Sequence, residues 1–250
     1  MDPVTTAPSA KSLATQAFER LRSDILGGQL RPEARLRIQA LSERYGIGAT
    51  AIREALSRLV TDGFVELEDQ RGFCVARVSR EELMDLTRTR IEVESLALRS
   101  AIESGDLEWE SGILSAFHRL SKTPPPSTPE LHIPWAAAHQ QFHEALVAGC
   151  SSPWTRRLCR LLYDQSERYR NLAERYTSQQ KRDPAIEHRE MMDAAIARQA
   201  DKAVALLHAH FWETTQIILQ AVFGDGGQTP AKPARKARKA PDHQARGVAV

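Results

Sequence analysis

Apolar residues recur along this chain with two spacings, and the change from one to the other outlines its first domain. Leu13, Ala17, Leu21 and Ile25 stand four apart, one face of a helix, and Gly27-Gly28 ends the run. Arg31-Pro32 then opens a turn. Between Leu41 and Leu59 lie two short helical patterns, with Gly46 at the tight turn between them, where positive φ must be tolerated. Ile52, Leu56 and Leu59 share the inward face of the second pattern, while Thr50, Arg53 and Ser57 fall on another, free to enter a groove. Period two follows: Phe64-Val65-Glu66-Leu67 and Phe73-Cys74-Val75-Ala76 alternate like strands around the turn Asp69-Gln70-Arg71-Gly72, with an arginine at its tip. Leu36 to Val75 therefore predicts a helix–turn–helix with a two-stranded wing, the shape of a reader of duplex DNA.

After residue 79 the pattern is helical throughout. Ser79-Arg80-Glu81-Glu82 is a capping box, and the helix it starts runs to about Ser104, before Gly105. Further helical segments cover about Leu107 to Ser121, Trp135 to Ala148, Pro153 to Thr177, Pro184 to Arg198, and Asp201 to Phe223. Lys122 to Ile133, with four prolines, predicts a loop. The fold expected is mainly α: an N-terminal winged helix–turn–helix and a C-terminal all-α six-helix bundle. Its divisions are a flexible leader (1–10), a DNA-binding domain (11–78), a helical domain (79–223) and a disordered basic tail (224–250).

Composition narrows the possibilities. The 250 residues are 42% hydrophobic and 26% charged, an ordinary soluble balance. No apolar run approaches the ~18 residues of a membrane span. The first residues lack the basic start and apolar core of a secretory signal, so a cytoplasmic protein with no membrane partner is expected. Cys74, Cys150 and Cys159 are odd in number, lack metal-motif spacing, and read as reduced thiols. The net charge of +2 hides a division: from Gln228 onward there are six Lys/Arg and one Asp, leaving 28 basic and 31 acidic residues for the rest. DNA affinity must then come from a local surface. Arg31, Arg35, Arg37, Arg44, Arg53 and Arg58 outnumber Glu33, Glu43 and Glu54 in one short stretch and supply it.

The run Gly46-Ile47-Gly48-Ala49-Thr50-Ala51-Ile52-Arg53-Glu54-Ala55-Leu56, followed by Arg58-Leu59 and Asp62-Gly63-Phe64-Val65, resembles the winged helix–turn–helix of the GntR family of bacterial transcription regulators. The resemblance covers about Ser12 to Val78. The family's usual Ser-Arg pair is replaced by Gly48-Ala49. The resemblance makes Arg53 the leading base-reading or phosphate-anchoring residue, since a guanidinium can take guanine O6 and N7 together. Thr50 would donate to a phosphate near the helix N-terminus. Arg37 leads the first helix of the motif, Arg71 and Gly72 would bring the wing to the minor groove, and Arg44 and Arg58 complete the candidate DNA-binding set.

Histidines carry the candidate chemistry of the second domain. His139 and His143 are four apart and share a helix face. If the last two helices form an antiparallel hairpin turning near Ala200, His188 and His210 both stand roughly 15–18 Å from the turn. Four imidazoles could then converge, a donor set suited to zinc, nickel, copper or iron. His118, His132, His208 and His243 read as non-ligands.

Residues Ser79 to Phe223 also resemble the FCD ligand-binding domain of the FadR branch of GntR regulators, in its shorter VanR-like form. They are similar to the carbon-starvation-induced regulator subgroup. Arg90-Ile91-Glu92-Val93-Glu94 fits an Arg-x-x-x-Glu pattern, and His139-Gln140-Gln141-Phe142-His143 fits Asp-x-x-Phe-His with histidine in place of aspartate. Glu187-His188 and His210 fit the last two ligand positions. The resemblance implies a divalent transition metal, zinc first and nickel, iron or copper as alternatives, held by His139, His143, His188 and His210. It implies a small mono- or dicarboxylic acid effector met by Arg90, Tyr169 and Arg170, although a salt bridge to Glu94 is the other role open to Arg90. It further implies a homodimer on a near-palindromic double-stranded operator, and repression relieved by the effector, with no enzymatic activity. Two other readings stay open: a direct metal sensor, and a metal-dependent hydrolase with a DNA-binding appendage.

Overall fold

In the computed structural model the described residues are 11–124, 129–173 and 183–224, with the side chains of 129–133 excepted. Among them are nine α-helices and one two-stranded sheet. Helix α1 (Leu13–Leu26) starts at Ser12, whose Oγ accepts the Thr15 N–H at 3.1 Å. Helices α2 (Ile38–Tyr45) and α3 (Ala49–Thr61) meet at Gly46, which has φ +67° and donates its N–H to the Ser42 carbonyl. Strands β1 (Val65–Glu68) and β2 (Gly72–Val75) pair antiparallel with Val65 opposite Val75. Leu21, Ile52, Leu56, Leu59 and Phe64 close a small core beneath them. Each such side chain, fully buried, contributes about 1.5–3 kcal/mol.

The bundle begins with α4 (Arg80–Ser104), where Ser79 Oγ accepts the Glu82 N–H at 3.0 Å. It continues through α5 (Leu107–Lys122), α6 (Pro129–Val147), α7 (Pro153–Ala173), α8 (Pro184–Ile196) and α9 (Ala200–Ile218), and ends in a π-helical turn, Leu219–Phe223. The expected loop from Lys122 to Ile133 is shorter than the prolines suggest, because α6 already starts at Pro129 and carries Pro134 inside it. A proline in a helix's first turn forfeits no hydrogen bond, and Pro134 forfeits one that the rest of the helix outweighs. The leader, the expected end of α7 at 174–177, and the basic tail from 225 lie outside the described residues. Helix α4 packs along α7 and α9, α5 along α6, and α8 along α9. Leu98, Ile113, Phe142, Leu146, Met191 and Leu207 form the centre of their core. No helix among the described residues is long and apolar enough to cross a membrane.

Helix α7 also holds the head. Arg22 pairs with Asp164 at 2.5 Å, Gln165 Nε2 donates to the Asp62 carbonyl at 2.5 Å, and Asn171 Nδ2 donates to the Leu26 carbonyl at 2.9 Å. At the junction a third apolar cluster joins Leu83, Tyr169, Ile218 and Leu219 to Val78 and Phe223.

Candidate DNA-reading face and histidine centre

Helix α3 buries Ile52, Ala55, Leu56 and Leu59 and leaves Thr50, Arg53 and Ser57 exposed. Its N-cap is Gly48, so no side chain caps the first-turn amides, which stay available to a phosphate. Arg53 makes no ion pair among the described residues, and two other arginines of the expected set are held by neighbours in the head. Arg44 pairs with Asp24 at 2.7 Å, and the Arg58 guanidinium lies 4.3 Å from the centre of the Phe18 ring. Both remain exposed, but each is anchored within the head. Arg37 occupies the N-cap position of α2 and is exposed. At the wing tip Arg71 pairs with Glu68 at 2.9 Å, and Gly72 adopts φ +75°.

Inside the bundle, α6 supplies His139 and His143, α8 His188 and α9 His210. All four are buried, and each offers a ring nitrogen within 4.8 Å of the others. His139 Nε2 faces His143 Nε2 at 3.2 Å, and the His188 and His210 ring centres are 4.8 Å apart. Burial, with Arg170 beside His139 and the neighbouring imidazoles beside His143, holds both pKa values well below the ordinary histidine range. These two rings are thus neutral, the form that binds metal. His210 Nδ1 lies 2.7 Å from Glu187 Oε2, a carboxylate–imidazole contact of the sort that orients metal ligands. The donor set fits a transition metal. Among the described residues the cluster is all imidazole, with no carboxylate ligand, which disfavours calcium and magnesium.

Arg90 closes one side. Its Nε bonds Glu94 Oε1 at 2.6 Å, and its guanidinium lies 3.9 Å from the Phe211 ring centre and 5.1 Å from that of Tyr163. Its Nη2 is buried without a hydrogen-bond partner. The salt bridge and an open donor therefore coexist on one side chain. Burial holds the Glu94 carboxyl above its ordinary range, against the opposing pull of Arg90. Arg170 donates from Nη1 to His139 Nδ1 at 3.0 Å and pairs with Glu167 at 2.9 Å. Arg90, His139, Arg170 and His210 line a cavity of about 160 Å³ that continues past Thr87 and Thr215 to Leu83 and Ile218.

Tyr169 is elsewhere. Consecutive helical residues point about 100° apart, so Tyr169 cannot share the face of Arg170. It sits in the junction cluster, with its hydroxyl on Glu82 at 2.5 Å. The tyrosine at the centre is Tyr163, seven residues before Arg170 and on its face, with its hydroxyl 2.9 Å from His139 Nδ1. That i, i+7 spacing is the sequence signal that could have found it. His118 and His208 do not join the cluster; His132 and His243 lie outside the described side chains.

A winged head on an all-helical domain defines a DNA-binding transcription regulator. Residues 13–75 match the model of bacterial regulatory proteins of the gntR family, and residues 85–212 match that of the FCD domain. The chain is 39% identical over 221 residues to the HTH-type transcriptional regulator BphR of Paraburkholderia xenovorans, covering 87% of this chain and 89% of that one. It is 34% identical over 212 residues to the HTH-type transcriptional repressor GlaR of Escherichia coli, covering 83% and 96%. The solved structure of E. coli McbR/YncC superposes with a TM-score of 0.70 at 22% identity, over 84% of this chain and 99% of that one. This chain belongs to the GntR family and carries an FCD domain. The relatives matched are named as transcription regulators, not enzymes.

Proposed function

We propose that this regulator is a homodimeric repressor whose hold on operator DNA is controlled by a small carboxylic acid bound at a metal centre in its helical domain. The observation that carries this reading is the meeting of four clustered, buried imidazoles with Arg90, whose Nη2 is unpartnered and which lines one cavity with His139 and His210. His139, His143, His188 and His210 form the candidate ligand set, and zinc is the first expectation, with nickel, iron or copper next. A divalent ion held by three of these histidines, or one of coordination number above four, would supply a coordination position for a carboxylate oxygen. Arg90, held in orientation by Glu94, Phe211 and Tyr163, would take a second oxygen through a charge-assisted hydrogen bond. An anion-seeking donor beside the cluster favours an acid as the signal over the metal alone. Repression is supported by the similarity to GlaR, which is named a transcriptional repressor. Arg37, Arg44, Thr50, Arg53, Arg58, Arg71 and Gly72 are the DNA-facing set, with Arg53 foremost.

To control DNA the acid must favour the released arrangement by about 1–3 kcal/mol, or roughly 5–150-fold in operator affinity. The test begins with elemental analysis of the purified protein and selection of its operator from random duplexes. Gel shifts follow with a panel of mono- and dicarboxylic acids, on metal-loaded and chelator-stripped protein. The expected result is stoichiometric transition metal and metal-dependent release by one acid class. Operator binding that follows the ion and ignores every acid would instead establish a metal sensor.

A further inference from the structure

The ligand set has an internal inconsistency at His139. Arginine has donors only, so the Nδ1 that Arg170 Nη1 approaches at 3.0 Å must present its lone pair. The Tyr163 hydroxyl lies 2.9 Å from the same nitrogen. An imidazole whose Nδ1 accepts carries its proton on Nε2. That Nε2 is the atom facing the cluster, 3.2 Å from His143 Nε2, and a protonated nitrogen offers no lone pair to an ion. Trp135 stacks on the ring at 4.8 Å with 19° between planes, which resists a flip that would exchange the two edges. His210 shows the opposite arrangement: its Nδ1 faces the Glu187 carboxylate at 2.7 Å, which places the proton on Nδ1 and the lone pair on Nε2. Among the described residues the partners of His139 Nδ1 are Arg170 and Tyr163, with no carboxylate.

We propose that His143, His188 and His210 hold the ion, and that His139 stands beside it as a neutral hydrogen-bond donor directed into the cluster. Arg170 and Tyr163 are the positioning residues that fix its proton on Nε2. This rests on the metal centre proposed above and departs from the four-ligand set. It also explains how the site keeps room for an acid, since three protein ligands leave the fourth position open whereas four imidazoles close a tetrahedron.

The test uses full-length protein, stripped and reloaded with zinc or cobalt(II). In His139→Gln, zinc affinity by chelator competition is expected within about tenfold of wild type, the low end of what outer-shell changes cost. The visible spectrum of its cobalt form is expected to be unchanged. His210→Ala is expected to lose the ion and serves as the ligand control. Long-range proton–nitrogen NMR of zinc-loaded wild type should place a proton on His139 Nε2, a result independent of how any variant folds. A loss beyond about 100-fold in His139→Gln, an altered cobalt spectrum, or a metal-bound Nε2 at His139 overturns the assignment. Wild-type protein that takes up neither ion overturns the metal centre itself, a separate outcome.

Discussion

Two arginines show what surroundings do to one side chain. Arg53 is exposed on α3 with no ion pair among the described residues, so its donors are available to a partner. Arg53→Ala is expected to leave the thermal melt unchanged, as surface substitutions cost within about 0.5 kcal/mol. Operator affinity should fall by the ~1–3 kcal/mol of a bidentate base contact, measured by gel shift against specific and scrambled duplexes. Loss on both duplexes alike would make Arg53 a phosphate anchor rather than a base reader. Arg90, by contrast, is buried between Phe211 and Tyr163 and tied to Glu94. Its sequence neighbours announced the Glu94 pair through i, i+4 spacing. The ring faces that clamp it come from α7 and α9 and left no local signal. Tyr163 could be reached only through its i, i+7 spacing to Arg170, since its partner His139 is 24 residues away on another helix.

At the scale of elements, local rules read well where one residue type decides. Gly46 was legible because the turn between α2 and α3 requires positive φ, and it has φ +67°. An added Cβ there meets nothing within 4 Å, so crowding plays no part. Gly46→Ala is therefore expected to cost about 1–2 kcal/mol by the backbone term alone, seen as a lower denaturation midpoint with unchanged m value. The capping box at Ser79 was likewise legible, with Glu82 N–H on Ser79 Oγ. The start of α6 was not. The four prolines between Lys122 and Ile133 read as a loop, yet Pro129 already lies in the helix, which packs on α5 through Phe142 and Leu146. Tertiary burial overrode propensity there. The His139/His143 pair was readable from spacing, and the meeting of His188 with His210 from the length of a hairpin. Which of the four carries its proton where depends on Arg170 and Glu187, and spacing says nothing about that.

For the whole molecule, α7 is the shared member. One of its faces carries Tyr163 and Arg170 at the histidine centre, and another carries Asp164, Gln165 and Asn171 against the head. Burial holds the Asp164 carboxyl above its ordinary range despite the opposing effect of Arg22. The native state therefore binds this proton more tightly than the unfolded chain does. Asp164 lowers stability as pH rises through the folded pKa, and that cost fades as pH falls. Asp164→Asn is expected to flatten this part of the stability–pH curve in acid-range melts. It should also loosen the head, seen as faster limited proteolysis around Arg77 and Arg80 at neutral pH. Unchanged proteolysis would mean that the Gln165 and Asn171 bonds hold the head without the ion pair.

The stacking of Trp135 on His139, with Arg170 5.2 Å from the indole centre, makes the centre visible to light. An excited indole loses energy to an adjacent open-shell ion or to a shifted charge over its face. Of the other three tryptophans, Trp109 is buried and Trp154 and Trp212 are exposed, and among the described residues Trp135 is the one that stacks on a cluster histidine. This regulator thus carries an intrinsic fluorophore against its own pocket, and its occupancy can be followed by emission without any label.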